Sequence, residues 1–178
     1  MANESERDPP PETNGNAGAN GNGEADTAGS GTASWSESGR AASAAFGAMV
    51  SMMMKSPAYH HHSLVDLEWL LVPAILNNQF MLNMTRTGSG ASIPGAFAIW
   101  AQVSEDVDRR LSANPAIPLR LSQEEWKSGD IVWLIEAIGP EESVTPMVQR
   151  LHAALAENQP MKMRVFDKDG QPKILALN

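Results

Sequence analysis

The chain has 178 residues, 42% hydrophobic and 19% charged, with a formal charge of −8 and no cysteine. This length suits one domain, and the lack of cysteine excludes disulfides, thiolate metal ligands and cysteine nucleophiles. The acidic balance disfavours nucleic-acid binding, which requires a basic surface. We expect no membrane span, because the longest apolar-rich stretch, residues 41–54, is shorter than the roughly 20 residues that cross a bilayer.

Residues 1–40 are predicted to form a disordered acidic tail. They contain 7 of the 14 glycines, 7 acidic side chains and only 2 basic ones. Low hydrophobicity with excess negative charge leaves too little apolar surface to offset chain entropy. The folded domain is therefore predicted to cover residues 41–178.

Two helices are predicted at the start of this domain. Large apolar residues recur at helical spacing in residues 41–54, until Ser56-Pro57 ends the segment. Ser63 then opens a capping-box-like start, which predicts a helix of about two turns that ends before Pro73.

A β-hairpin is predicted next. Residues 79–86 alternate apolar and polar side chains, which is typical of a strand with one buried face. Residues 95–103 are mostly apolar and predict a buried strand. The glycine-rich segment 87–90 connects the two.

The second half is predicted to alternate helices and strands. The predicted elements are a helix from Ser104 to Asn114, a short helix over 122–126, a strand over 130–138, a helix from Thr145-Pro146 to Leu155, and strands over 161–166 and 173–177. The strand over 130–138 is too apolar for an exposed position, so we place it at the sheet centre. The order predicts a mixed α/β (α+β) domain with helices packed on a largely antiparallel sheet.

The run Tyr59-His60-His61-His62 is the most unusual local pattern, because it holds three of the four histidines. Three readings stay open: a solvated polar loop, a catalytic or proton-transfer histidine, and metal binding. Adjacent histidines serve a three-ligand metal site poorly, since His60 and His62 share one face of an extended segment while His61 opposes them.

Glu136 is the second chemical candidate. It stands among apolar neighbours in the predicted central strand, where burial raises the pKa of a carboxyl group and suits acid–base work. The alternative is that its side chain points to solvent from an edge strand.

Several short motifs together resemble the RTX toxin-activating lysine acyltransferases, the proteins that activate haemolysin-type protoxins. The resemblance covers about residues 43–170. The motifs, in order, are Phe46-Gly47, Ser56-Pro57, Pro73-Ala74-Ile75, Asn78-Gln79-Phe80, Trp100-Ala101, Trp126-Lys127-Ser128-Gly129-Asp130, Trp133-Leu134-Ile135 and Arg164-Val165.

The resemblance implies a Gcn5-like acetyltransferase fold and a cytoplasmic, homodimeric enzyme. Such an enzyme moves a fatty acyl group from acyl carrier protein to the ε-amine of an internal lysine in an RTX-type protein. It needs no metal and no bound cofactor, because acyl-acyl carrier protein is its donor substrate. Arg109, Arg110, Arg120, Lys127, Arg150, Lys162 and Arg164 are the basic residues available to meet the acidic carrier, and we expect several to share one surface.

The resemblance also marks two positions. The family's histidine, two residues after Ser-Pro, corresponds to Tyr59, and its aspartate after Trp-x-Ile corresponds to Glu136. We therefore predict His60, one residue displaced, as general base, with Glu136 orienting it or stabilising its charged form. His61 and His62 are the other candidates for the general base. A catalytically inactive relative that binds acyl carrier protein or another partner as an adaptor is the alternative.

Overall fold

The computed structural model describes residues 36–156 and 159–177, and its first helix is α1, Glu37–Met53. Ser36 caps this helix, since its side chain accepts a hydrogen bond of 3.1 Å from the Gly39 N–H. The helix thus begins four residues before the predicted domain start at 41. The rest of the predicted tail, residues 1–35, lies outside the described residues, so its disorder stays a prediction.

A 3₁₀ turn and two short helices follow α1. They are the turn Pro57–Tyr59, α2 Leu64–Leu70 and α3 Val72–Leu76. The predicted capping box is present, because the Asp66 carboxylate accepts hydrogen bonds from the Ser63 N–H at 2.7 Å and the Ser63 hydroxyl at 2.8 Å. Helix α3 was not predicted. Pro73 stands in its first turn, where a missing N–H would have no helical partner in any case.

The five strands form one sheet in sequence order, β1-β2-β3-β4-β5. The strands are β1 Phe80–Arg86, β2 Ser92–Val103, β3 Ile131–Ile138, β4 Met161–Phe166 and β5 Pro172–Leu177. Helix α4, Glu105–Ala113, connects β2 to β3, and helix α5, Glu141–Leu155, connects β3 to β4. Neighbouring strands are antiparallel except β3 and β4. The predicted mixed α/β class and the central position of β3 are confirmed.

Two helix predictions were wrong in detail. Residues 122–126 form a turn, because this segment bonds to the end of β2: the Gln102 N–H donates to the Trp126 carbonyl at 3.0 Å, and Gln102 bridges Lys127. These contacts replace helical hydrogen bonds. Helix α5 starts at Glu141, before the predicted cap at Thr145, so Pro146 lies inside it.

The sheet separates two apolar cores. Helices α1 to α4 cover one face and α5 covers the other. Along β2 the alternation is strict, with Phe97, Ile99, Ala101 and Val103 in the α1 core and Ala96, Ala98 and Trp100 in the α5 core. This alternation explains why residues 96–101 of β2 are all apolar, since both faces of the strand are covered there. Among the described helices, none is long and apolar enough to cross a bilayer.

Strands β3 and β4 are paired over a short distance only. Their parallel pairs are Trp133 with Lys162 and Leu134 with Met163. Beyond these pairs the two strands part, and a gap opens between the ends of β3 and β4. On its other side β3 is held along its whole length, because it pairs with β2 from Ile131 to Ile138.

Candidate active site

Glu136 lies beside a β-bulge in β3. Ile99 of β2 pairs with Glu136, whereas the next residue, Trp100, pairs with Leu134, so β3 holds one extra residue at this point. The faces of β3 invert accordingly: Ile135 belongs to the α1 core, but Ala137 packs against the α5 core. A bulge redirects a side chain out of the strict alternation. Glu136 therefore points into the gap beside β4 and lines cavities on both sides of the sheet.

Tyr59 ends the 3₁₀ turn and faces Glu136 from the α1 side. Its half-buried ring packs against the α1 core. Burial raises the pKa of the Tyr59 hydroxyl far above its usual range, and the charge of the Glu136 carboxylate and a hydrogen bond to it act in the same direction. At neutral pH the phenol is therefore protonated, so its hydroxyl is available as a donor on the side of the Glu136 carboxylate.

The carboxyl group of Glu136 is held by several neighbours. Its Oε1 accepts a hydrogen bond of 3.1 Å from the N–H of Ala137. Burial raises the pKa of Glu136 above its usual range, while the hydrogen bonds from Tyr59 and Ala137 and the positive charges of Arg164 and His62 limit that rise. A carboxylate with a raised pKa binds a proton more readily than an ordinary one, which is the property predicted for this residue.

The three histidines do not share one environment. All three are exposed, and the Nε2 of His60 lies 3.3 Å from the Met54 carbonyl, at the end of α1. His61 and His62 line the cavity that contains Glu136, and His60 does not. The His62 ring lies 5.3 Å from the Tyr59 ring, centroid to centroid, at a tilt of 42°. The structure thus places His61 and His62, but not His60, on the cavity that Glu136 lines, and of these the charge of His62 lowers the pKa of that carboxylate.

Arg164 fills the gap between the separated ends of β3 and β4. Its Nη1 donates a 3.1 Å hydrogen bond to the Ile117 carbonyl, and its guanidinium lies 5.6 Å from the centroid of the Phe166 ring. Arg164 lowers the pKa of both Tyr59 and Glu136. It is thus a fixed positive charge near the half-buried Glu136 carboxylate.

Two cavities meet at Glu136 and Arg164. The first, of about 490 Å³, is polar on one side and lies towards α2. It is lined by Tyr59, His61, His62, Asp66, Trp69 and Phe166, among others. The second, of about 410 Å³, lies under α5 and is mainly apolar, with Leu134, Val144, Val148, Met163, Val165 and Leu177 in its wall. Ile135, Glu136 and Arg164 border both.

Asp66 gives the first cavity a second acidic group. Hydrogen bonds from the backbone and side chain of Ser63, and one from the Trp69 indole, hold the pKa of Asp66 below its usual range. Asp66 is therefore ionised at neutral pH. Within residues 36–156 and 159–177, no three His, Asp or Glu side chains converge as they would around a metal ion.

Sequence reasoning predicted roles for Glu136 and the histidine run, but it gave Tyr59 no role and placed Arg164 only among the basic residues and in the Arg164-Val165 motif of the resemblance. The resemblance had pointed to Tyr59 by position, which was the available signal. For Arg164 the available signal was the Arg164-Val165 motif, but its place on the cavities that Glu136 lines depends on the tertiary arrangement of β3 and β4.

Comparisons with known proteins agree with this architecture. Residues 39–176 match the family model of the RTX toxin acyltransferases. The chain is 30% identical over 94 residues to the leukotoxin-activating lysine-acyltransferase LktC of a Pasteurella haemolytica-like species. The matched segment is 53% of this chain and 52% of that relative. It is 27% identical over 125 residues to an uncharacterised protein, sll0720, of Synechocystis. This segment is 70% of this chain and 81% of that protein. The match to the first relative spans about half of its length. The predicted resemblance is confirmed, and the chain belongs to the RTX toxin acyltransferase family.

Proposed function

We propose that this chain transfers a fatty acyl group from the thioester of acyl carrier protein to the ε-amine of a lysine in an RTX-type protein. Family membership supports acyl transfer in general. The observation that carries the finer proposal is the desolvated Glu136 carboxylate at the junction of an apolar and a polar cavity.

The two cavities suit the two substrates. The apolar cavity under α5 accommodates the donor's acyl group, because its wall is built of aliphatic side chains. The polar cavity accommodates the lysine side chain, because Asp66 and Glu136 attract an ammonium group. The thioester carbon and the amine nitrogen then meet beside Glu136 and Arg164. This arrangement is also what we expect of the proposed Gcn5-like fold.

The reaction requires removal of a proton. A lysine ammonium has an ordinary pKa of about 10.4, so a base must take its proton before the nitrogen can attack. The nitrogen then bonds to the thioester carbon, the carbon–sulfur bond breaks, and the proton that the nitrogen loses as the amide forms goes to the departing thiolate of the carrier. The products are an amide on lysine and the free thiol of the carrier.

A histidine of the run 60–62 is proposed as this base, with Glu136 stabilising the imidazolium. His60 was the choice from sequence. The geometry favours His62, because it lines the same cavity as Glu136 and its charge acts on that carboxylate. Acyl carrier protein as donor, a cytoplasmic location and a homodimer are parts of the same proposal.

Mass spectrometry of a mixture of the full chain, acyl-acyl carrier protein and a lysine-containing RTX-type protein tests the proposal. We expect an acyl mass gain on lysine, and a rate about 100-fold lower in Glu136→Gln. Parallel His60→Ala, His61→Ala and His62→Ala variants identify the base: loss in His62→Ala alone supports the geometric assignment, loss in His60→Ala alone supports the sequence-based one, and loss in His61→Ala alone contradicts both.

Circular dichroism of each variant shows whether a lost rate reflects a lost fold. Binding of acyl carrier protein without transfer, across several acyl chain lengths, would replace the proposal with the adaptor alternative. Neither binding nor transfer would refute both.

A further inference from the structure

We propose that Tyr59 is the positioning residue of this site, with its hydroxyl holding the Glu136 carboxylate and its ring holding the His62 imidazole. For its catalytic consequence the inference rests on the proposed function. For the placement of the three groups it rests on the cavity that Tyr59, Glu136 and His62 share and on the 5.3 Å separation of the Tyr59 and His62 rings. Tyr59 is the only tyrosine of the chain.

The backbone fixes Tyr59 firmly. Pro57 opens the 3₁₀ turn, and the Tyr59 N–H donates to the Ser56 carbonyl at 3.0 Å. A proline at the first position of a turn restricts φ and reduces the conformations available to the segment. Because the ring also packs against the α1 core, the hydroxyl has little freedom to leave the cavity.

The same side chain lies beside both chemical groups of the site. Tyr59 and Glu136 line one cavity, where the Glu136 carboxylate helps to raise the pKa of the Tyr59 hydroxyl, and the Tyr59 ring lies 5.3 Å from the ring of His62. The Ala137 N–H supplies a second donor to the carboxylate at 3.1 Å. Carboxylate, phenol and imidazole thus form one contiguous array along the wall of the polar cavity.

Charged and titratable groups face this array from every neighbouring element. They are His61 and His62 from the segment before α2, Asp66 from α2, and Arg164 from β4. Arg164 and His62 stabilise the ionised carboxylate, as the Tyr59 hydroxyl does. Removing the hydroxyl alone therefore raises the pKa of Glu136 further, while the other groups stay in place.

A single resonance reports the contact. In protein labelled with ¹³Cζ-tyrosine, the one signal belongs to Tyr59, and we expect its chemical shift to change as Glu136 titrates, at a pH above the ordinary range of a glutamate. The change should be absent in Glu136→Gln. A signal whose acidic-range titration is the same in wild type and Glu136→Gln would overturn the inference, whatever the enzymatic activity.

The catalytic consequence is tested by Tyr59→Phe, which removes only the hydroxyl. We expect kcat to fall about 10-fold, KM for the acceptor protein to change little, and the acidic limb of the pH–rate profile to move to higher pH. An unmoved acidic limb would contradict the positioning role, because a merely structural effect of the variant does not shift that pKa.

The two proposals fail in different ways. Coupled titration of Tyr59 and Glu136 without any acyl transfer overturns the proposed function and leaves the contact established. Acyl transfer without coupled titration overturns the role of Tyr59 and leaves the proposed function established. Thermal melting of Tyr59→Phe verifies that the variant folds, and the wild-type resonance test does not depend on that variant.

Discussion

Replacing Asp108 by Asn is expected to lower the free energy of unfolding by about 2 to 3 kcal/mol. Asp108 of α4 accepts a hydrogen bond of 2.8 Å from the Trp133 indole N–H, and the Lys162 ammonium donates to its two oxygens at 2.7 and 2.8 Å. The side chains of Asp108 and Lys162 are only 16% and 24% exposed. This cluster joins α4 to β3 and β4 where those strands are paired.

The magnitude follows from what the substitution leaves behind. Asparagine keeps one acceptor oxygen for Trp133 but loses the negative charge, and hydrogen bonds to charged groups contribute about 1.5 to 3 kcal/mol each. Breaking a fully buried ion pair costs about 3 to 5 kcal/mol. Lys162 is not fully buried and can turn towards water, so the expected loss lies below that range.

Urea unfolding followed by tryptophan fluorescence measures the effect, with Asp108→Asn, Lys162→Met and the double variant forming a cycle. Asp106→Asn is the matched control, because Asp106 lies on the same helix and meets Arg109 at 3.0 Å with both side chains more than 70% exposed. The control should lose no more than about 1 kcal/mol. Equal losses in Asp108→Asn and Asp106→Asn would refute the argument from burial.

Three further predictions concern stability. Gly139 has φ +146°, and an added Cβ would lie 2.6 Å from the Cβ of Ala96, so Gly139→Ala should lower the urea midpoint markedly. In Gly47→Ala of α1 the added Cβ meets no atom within 4 Å, so this control should raise the midpoint slightly. The reverse order would contradict the close approach of Gly139 to Ala96. Met49 is fully buried in the α1 core, so Met49→Ala should cost about 2 to 5 kcal/mol in the same assay, and a loss under 1 kcal/mol would argue against that packing. The raised pKa of Glu136 means that the folded state favours the protonated carboxyl group. The stability that this protonated group contributes is fully present below the unfolded pKa of about 4.3, and it is lost as the pH rises through the folded pKa. Glu136→Gln should therefore be more stable than wild type at pH 7, with the gain shrinking towards pH 4; a gain that does not depend on pH would refute this.

Local signals in the sequence were sufficient for most elements. The apolar run of β3 indicated a strand covered on both faces, and its central place in the sheet confirms this. Ser104 caps α4 as predicted, since its side chain accepts a hydrogen bond from the Val107 N–H. The helix predicted over 122–126 does not form, because the backbone of this segment is hydrogen-bonded to the end of β2 instead.

Sequence reasoning predicted only part of the candidate site. Glu136 was identified because a carboxylate among branched apolar residues is unusual, and its raised pKa agrees with that expectation. The local sequence could not show which of the three histidines lies near Glu136. Their orientation depends on how the 3₁₀ turn packs against α1, which directs His60 to the Met54 carbonyl and His62 to the Tyr59 ring.

The sequence by itself determined the mixed α/β class, the order of the strands along the chain and the family resemblance, because periodicity, capping and short motifs are local properties. The tertiary structure alone decided that Tyr59, Glu136 and Arg164 converge. These residues come from a turn, a central strand and the strand beside it. They meet because a bulge displaces Glu136 from its expected face and because β3 and β4 part just beyond their last pair. Neither feature leaves a periodic signal in one sequence.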